Sequence, residues 1–266
     1  MSASSELLRR LVEFTLALER DASETLEEFD WGRLVYNPST DAMWSGNYLE
    51  IRSTDLDAGA LSALADEVQG PLARIKHRNV VPADPEYGER LVPGFEALDG
   101  WEVVRSVYMV LRREPDRETG GAREVPIAAV EAVRRALADD DPNFTQVAVE
   151  QRLIRDDRLS RAGNGRWFAA PPGGPAGAAC VLFERDGIGQ VENVGTAPDQ
   201  RGRGLASAVV TAASRASAEA GHEVTFLEAD ADDWPWKLYE KLGFERVGEV
   251  CSFLRKPPQL RGESVP

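Results

Sequence analysis

The chain has 266 residues, 42% hydrophobic, 8% aromatic and 29% charged, so it can bury ordinary cores, and disorder, collagen and coiled coil are excluded as descriptions of the whole. A length above the ~100 to 200 residues of a usual domain favours two domains. With 31 basic against 45 acidic residues the formal charge is −14, and no run of Lys or Arg makes a cationic stripe, which disfavours nucleic acid and anionic membranes as partners.

In chain order, the first predicted element is an amphipathic helix over 4–20. Glu6, Glu13 and Glu19 interrupt its apolar residues and remove it from the signal-peptide and membrane-span classes. Strands near 33–36 and 48–52, a helix over 58–68, a strand near Val80, a short helix ending at Leu98 and a strand over 102–111 follow. The stretch 111–125, LRREPDRETGGAREV, is charged, holds Pro115 and Gly120-Gly121, lacks an apolar period and reads as a linker. Beyond it come helices over 127–138 and 144–159, then strands over 167–170, 177–184 and 189–196. An Ala-rich helix after Arg203, a strand over 223–227, a helix over 235–242 and a strand over 246–254 complete the series. The expected division is therefore a domain over 1–114, a linker over 115–125 and a domain over 126–258.

The two halves end alike. At a constant offset of 143, Gly100-Trp101-Glu102 falls on Gly243-Phe244-Glu245 and Leu111-Arg112-Arg113 on Leu254-Arg255-Lys256, which suggests a duplicated unit. Cys180 and Cys251 are isolated thiols without a CxxC pair, and a reduced, cytoplasmic chain is the simplest account of them. His77 and His222 lie outside ligand spacing of each other and of the thiols, so no metal site is expected. Arg supplies nearly all the positive charge and Ala is abundant, a bias that resembles a GC-rich bacterial genome.

The stretch 191–221, VENVGTAPDQRGRGLASAVVTAASRASAEAG, carries the most chemistry. An apolar strand is cut off by Pro198, passes a loop with Gly202 and Gly204, and enters the Ala-rich helix. Glycines there permit close backbone approach, and a helix N-terminus offers unpaired N–H groups and a positive dipole end, so the loop suits a phosphate; a plain capped turn is the alternative. Neither GxxxxGK[ST] nor GxGxxG is present. The second informative stretch is 226–250, FLEADADDWPWKLYEKLGFERVGEV.

Together the two stretches resemble the GNAT superfamily of acyl-CoA N-acyltransferases. Arg201-Gly202-Arg203-Gly204-Leu205-Ala206 fits its R/Q-x-x-G-x-G/A motif, preceded by V-G-T-x-P where L-x-V-x-P is usual, and Leu238-Tyr239-Glu240-Lys241-Leu242-Gly243-Phe244 fits its other hallmark. The resemblance covers 127–256. It implies an α+β fold of two GNAT-like units, each a mixed, mostly antiparallel sheet flanked by helices. The first unit is degenerate, because no glycine loop precedes its 58–68 helix and Glu96 stands where Tyr239 does in the second.

The resemblance further implies an N-acetyltransferase moving acetyl from acetyl-CoA, its co-substrate, to a primary amine of a small molecule or peptide by direct attack, as a monomer or homodimer. Val194, Gly195 and Thr196 would hold the pantetheine arm by backbone bonds, and the amides of Arg201, Gly202, Arg203, Gly204, Leu205, Ala206 and Ser207 the pyrophosphate. Tyr239 falls at the general-acid position, and Val194 or Gly195 N–H would serve the oxyanion. Glu192, on the strand face it shares with Val194, is the candidate base; Gln190, where some members carry the base, cannot take a proton, and Glu228 and Asp230 are secondary candidates. Asp230, Asp232, Asp233, Trp234 and Trp236 read either as a solvated turn or as a pocket for a cationic amine, with Asp232 where the family commonly has Asn. Arg152, Arg155 and Arg158 read as a solvated face or as a contact for an acidic acceptor. A reading of another class stays open: a catalytically weak acyl-CoA-binding sensor or interaction module.

Overall fold

The structure is a computed structural model that describes residues 3–116, 119–140 and 145–257. Phe144, residues 117–118 of the expected linker and Pro258, all within expected elements or domain bounds, lie outside the described residues. The elements in order are α1 (Ala3–Ala22), β1 (Thr25–Phe29), β2 (Gly32–Tyr36), β3 (Tyr48–Ile51), α2 (Ala58–Gln69), β4 (Arg78–Pro82), α3 (Pro85–Glu96), β5 (Glu102–Leu111), β6 (Arg123–Val125), α4 (Glu131–Asp139), α5 (Gln146–Ala162), β7 (Arg166–Ala170), β8 (Ala178–Arg185), β9 (Ile188–Thr196), α6 (Leu205–Glu219), β10 (Val224–Asp230), α7 (Pro235–Lys241) and β11 (Phe244–Arg255).

The chain divides into two compact units, one made of residues up to Ser106 and from Glu249 onward, the other Val107–Gly248. The expected linker over 115–125 thus lies inside the second unit, and its last residues form β6. Strands β5 and β11 are each divided, so that each unit owns one part of both.

In the first unit β1, β2 and β3 pair antiparallel, β3 and β4 pair parallel, and β4 pairs antiparallel with β11. Leu61 and Ala65 of α2, Leu91 and Phe95 of α3, and Phe253 of β11 close its core, with Phe95 and Phe253 stacked 3.9 Å apart. A second buried layer is polar. The loop 37–47 is held down by Asn47, whose side chain donates to the carbonyls of Thr40 and Met43 and accepts from Asn37 N–H, while its own carbonyl faces His77 Nε2 at 3.0 Å. Burial pushes His77 down to about 4, so the ring stays neutral.

In the second unit the strand order is β5-β10-β9-β8-β7-β6; β9 and β10 are parallel, and β6 to β9 pair antiparallel in succession. Helix α6 puts Ala208, Val209, Ala213 and Ala216 on one face of this sheet, where small side chains let helix and strands approach closely. Val107 and Met109 of β5 belong to the same buried cluster, and Tyr108 stacks on Phe226 of β10 with ring centres 5.9 Å apart. The succession β3-α2-β4-α3-β5 recurs as β9-α6-β10-α7-β11, with the first strand pair parallel in both, in line with the offset of 143. The fold is α+β, mixed and mostly antiparallel.

Candidate active site

Period two along β9 and β10 sorts their side chains. Val191 and Leu227 enter the cluster under α6, so Gln190 and Glu192 on β9 and Phe226 and Glu228 on β10 point to the opposite face. The parallel pairing of the two strands begins at Val224↔Ile188 and stops at Leu227↔Val191. Both strands run on past that point, β9 to Thr196 and β10 to Asp230, so they part and residues 192–196 lack a β10 partner.

At the parting point β9 is also irregular. Ala179 opposes Gly195 and Val181 opposes Glu192, so Cys180 alone faces two residues, Asn193 and Val194. This is a β-bulge, and Asn193 adopts a φ of 53°, a left-handed conformation that Asn tolerates better than most residues. The side chain of Asn193 is fixed from α5: Arg152 Nη2 donates to its Oδ1 at 3.2 Å and its Nδ2 donates to Asp156 Oδ1 at 3.3 Å. Asp156 in turn accepts from Arg134 of α4, both are almost fully buried, and Arg134 lies over the Trp167 ring at 5.1 Å. Two residues on, Gly195 admits Leu137 of α4 so closely that a Cβ there would sit 2.1 Å from its Cδ1. Helices α4 and α5 are thereby docked against the bulge.

Glu192 is half-buried at this point. Its Oε2 accepts from Gln190 Nε2 at 3.1 Å, and Gln190 is buried with its own Oε1 unpartnered. Burial, and next the carboxylate of Glu228 across the gap, push Glu192 up to about 7, against the N–H of Asn193 and the guanidiniums of Arg155 and Arg152, which favour the charged form. Tyr239 of α7 enters from the other side, in the cluster with Cys180, Leu227 and α6, edge-on to Phe244 at 6.3 Å. Its phenol is raised well above the usual range by burial first and then by the negative charge of Glu192, so it keeps its proton at neutral pH. Cys180 is fully buried with its thiol on the Val209 carbonyl at 3.3 Å, and burial raises it too, which makes it a packing residue.

Downstream, β9 leads through a one-turn 3-10 helix, Pro198–Gln200, into the glycine loop. Gly204 has a φ of 73°, caps α6 without any side-chain hydrogen bond, and is exposed with open space where a Cβ would point. The first helical bond runs from Ala208 N–H to the Gly204 carbonyl, so the N–H groups of Leu205, Ala206 and Ser207 have no acceptor within the helix. An anion is the natural partner of such an end. Arg201 pairs with Asp140 at 2.6 Å and Arg203 donates to Gln200 at 3.0 Å, both exposed.

Of the residues singled out in the sequence, Glu192, Val194, Gly195, Tyr239 and Glu228 meet where the strands part, and residues 201–207 form the uncapped end of α6. The acidic turn bonds to itself, Asp230 and Asp233 accepting from Asp232 and Trp234 N–H, and Trp234 is exposed. Trp236 is already covered by Arg246 at 3.8 Å and Lys237 at 5.1 Å, which leaves it poorly suited to an incoming cation. Asn193 was not singled out; an Asn inside an apolar strand was its signal. Among the described residues no group of three or more His, Cys, Asp and Glu could hold a metal, and no helix is long and apolar enough to cross a membrane.

A profile described as Acetyltransferase (GNAT) family matches residues 130–244. A mycothiol acetyltransferase of Corynebacterium aurimucosum is 42% identical over 65 residues, 24% of this chain, and the chain spans only 21% of that protein's length. Two solved structures share the fold over most of both chains. A GCN5-related N-acetyltransferase from Kribbella flavida is 17% identical with a TM-score of 0.63, covering 96% of this chain and 97% of its own. A protein of unknown function from Staphylococcus epidermidis is 13% identical with a TM-score of 0.65, covering 88% and 94%.

Proposed function

We propose that this chain, an acyltransferase that carries a GNAT acetyltransferase domain, moves acetyl from acetyl-CoA to a primary amine of a small molecule or peptide by direct attack. One observation carries the reading: the gap between β9 and β10 has a carboxyl held near neutrality on one face, a protonated phenol on the other, and an unpaired strand edge leading from it to a bare helix N-terminus.

The residues fit an acyl-CoA. The edge over Val194, Gly195 and Thr196 suits the amide-bearing pantetheine arm, which adds to it as a strand would. The N–H groups of Leu205, Ala206 and Ser207, with the backbone of residues 201–204, suit the pyrophosphate. Acetyl-CoA supplies the activated acyl group. Glu192, with its pKa of about 7, accepts the proton of an incoming ammonium while remaining able to lose it at working pH. Gln190 orients the receiving carboxyl through its bond to Oε2. The N–H of Val194 or Gly195, on the stretch of β9 that has left β10, would meet negative charge that develops on the thioester oxygen. As the C–N bond forms and the C–S bond breaks, Tyr239 gives its proton to the departing sulfur, and the second proton of the attacking nitrogen restores the phenol.

The test is release of free thiol from acetyl-CoA across an amine panel, with wild type, Glu192→Gln and Tyr239→Phe compared at equal acetyl-CoA occupancy. Amine-dependent release that both substitutions depress supports transfer. Tight acetyl-CoA binding with no release by any amine would replace it with the sensor reading.

A further inference from the structure

The face that Glu192 and Glu228 share also receives cations from α5. Asn193 bonds both Arg152 and Asp156 of that helix, which seats the turn 152–156 directly over the Glu192-Asn193 step of β9. Arg155 lies within that turn, and its guanidinium and that of Arg152 both act across space on the Glu192 carboxyl. Asp156 and Asp157, the acidic residues of the same stretch, are engaged by Arg134. Two carboxylates on the strands and two guanidiniums on the covering helix therefore border one gap. A guanidinium has five N–H donors, so each arginine can keep its protein contacts and serve a further acceptor.

We propose that the acceptor is an amine bearing a carboxylate a few bonds from its nitrogen, as in an α-amino acid, with its ammonium toward Glu192 and Glu228 and its carboxylate toward Arg152 and Arg155. This rests on the acetyl-transfer reading above. A plain alkylamine would match only the acidic half of the border. A diamine would bring its second cation against the guanidiniums. Only a zwitterion is complementary to both halves, and Arg is the side chain whose fork matches a carboxylate.

The experiment compares matched acceptors on the full chain: glycine, alanine, serine, lysine and phenylalanine, each against its decarboxylated amine, with thiol release as the readout. The amino acid of the best pair should exceed its amine by roughly tenfold to a hundredfold in kcat/KM, the range of a charge-assisted hydrogen bond. Arg155→Gln should collapse that ratio toward one through KM of the amino acid, and Arg155→Lys should restore part of it. The ratio is the informative quantity, because any effect of the arginine on the basicity of Glu192 falls on both members of a pair. Turnover in which amines or diamines equal or exceed the amino acids, or a ratio that Arg155→Gln and Arg152→Gln leave intact, would overturn this acceptor class while leaving acetyl transfer standing. No turnover with any member, despite acetyl-CoA binding, would instead remove the transfer reading and this inference with it.

Discussion

Helices α2 and α6 hold corresponding places in the two units, and they begin differently. At the start of α2 the Asp57 carboxylate accepts from Ala60 N–H at 2.8 Å, so the helix end is satisfied by its own chain. At the start of α6 a left-handed glycine leaves the same groups bare. The strands differ as well: β3 and β4 stay paired to their last residues, Ile51 and Pro82, whereas β9 and β10 separate after Val191 and Leu227. The acids on these strands differ too. Glu50 on β3 is fully buried against Arg20, Arg52 and Arg33 at 3.1, 2.9 and 3.8 Å, while half-buried Glu192 on β9 takes a bond from Gln190 and faces the carboxylate of Glu228 as well as the guanidiniums of Arg155 and Arg152. A unit whose polar ends are answered internally holds itself together; one that leaves them open can offer them to a ligand, as the proposed function requires.

The harshest way to break this comparison is to separate the units. A fragment beginning at Glu124 lacks residues 107–111, and with them Val107 and Met109 of the second core and the ring under Phe226. It should lose both its cooperative unfolding transition and its acetyl-CoA-induced thermal shift. A stable fragment that binds acetyl-CoA would show that β5 is dispensable to the second unit.

Next in size is the acid. Tyr239→Phe keeps ring and packing, so acetyl-CoA affinity should hold while turnover falls by about 10²- to 10⁴-fold, roughly 3 to 5 kcal/mol of barrier. Glu192→Gln should also abolish the rise of kcat/KM through pH ~7 expected of a base with that pKa. Unchanged turnover in Tyr239→Phe, with chemistry limiting, would return the phenol to a packing role.

Acidity should then pull the units in opposite directions. Folded Glu192 keeps its proton up to about 7 against an ordinary 4.5, so its contribution to stability is full below pH 4.5 and declines as pH rises toward 7, by on the order of 3 kcal/mol. Folded His77 resists protonation down to about 4 against 6.5, so its contribution is full above pH 6.5 and is lost as pH falls toward 4, on a similar scale. Glu192→Gln should therefore gain on wild type between pH 4.5 and 7 in denaturant unfolding. A gain that is equal at pH 4 and pH 8 would contradict the assignment.

The smallest effects exchange the two helix starts. Asp57→Ala should cost about 1 kcal/mol of stability and leave acetyl-CoA affinity alone. Gly204→Asp imports the carboxylate into the open end, in a backbone conformation Asp tolerates, and should weaken acetyl-CoA by roughly tenfold or more through like charge beside the pyrophosphate. Equal titrations for wild type and Gly204→Asp would remove the phosphate from this loop.

The strand, glycine loop and Ala-rich helix of the site were legible because their signals are local: period two, a Pro stop, two glycines and a run of small residues. Strand β1 was not, since four of its five residues are exposed and its Leu26 and Phe29 face outward, which leaves no alternation to read. Strand β6 hid inside a charged stretch because its support is distant, a three-residue pairing with β7 and the Arg166 to Glu124 bridge. Nothing local in the sequence marks Arg134 and Asp156, because only the meeting of α4, α5 and Trp167 buries them. The division of β5 and β11 between units was equally hidden, because side-chain period reports a strand and says nothing about which core it completes.

That division sets a clock on synthesis. The first unit stacks Phe253 on Phe95 and buries Cys251 in its core, so it stays unfinished until residues 249–255 have left the ribosome. At about 5 to 20 residues per second, the roughly 140 residues between Ser106 and Glu249 take on the order of 10 to 30 s to be made. Through that interval β4 lacks its β11 partner and presents an open strand edge, the kind of edge that pairs with another chain unless it is covered.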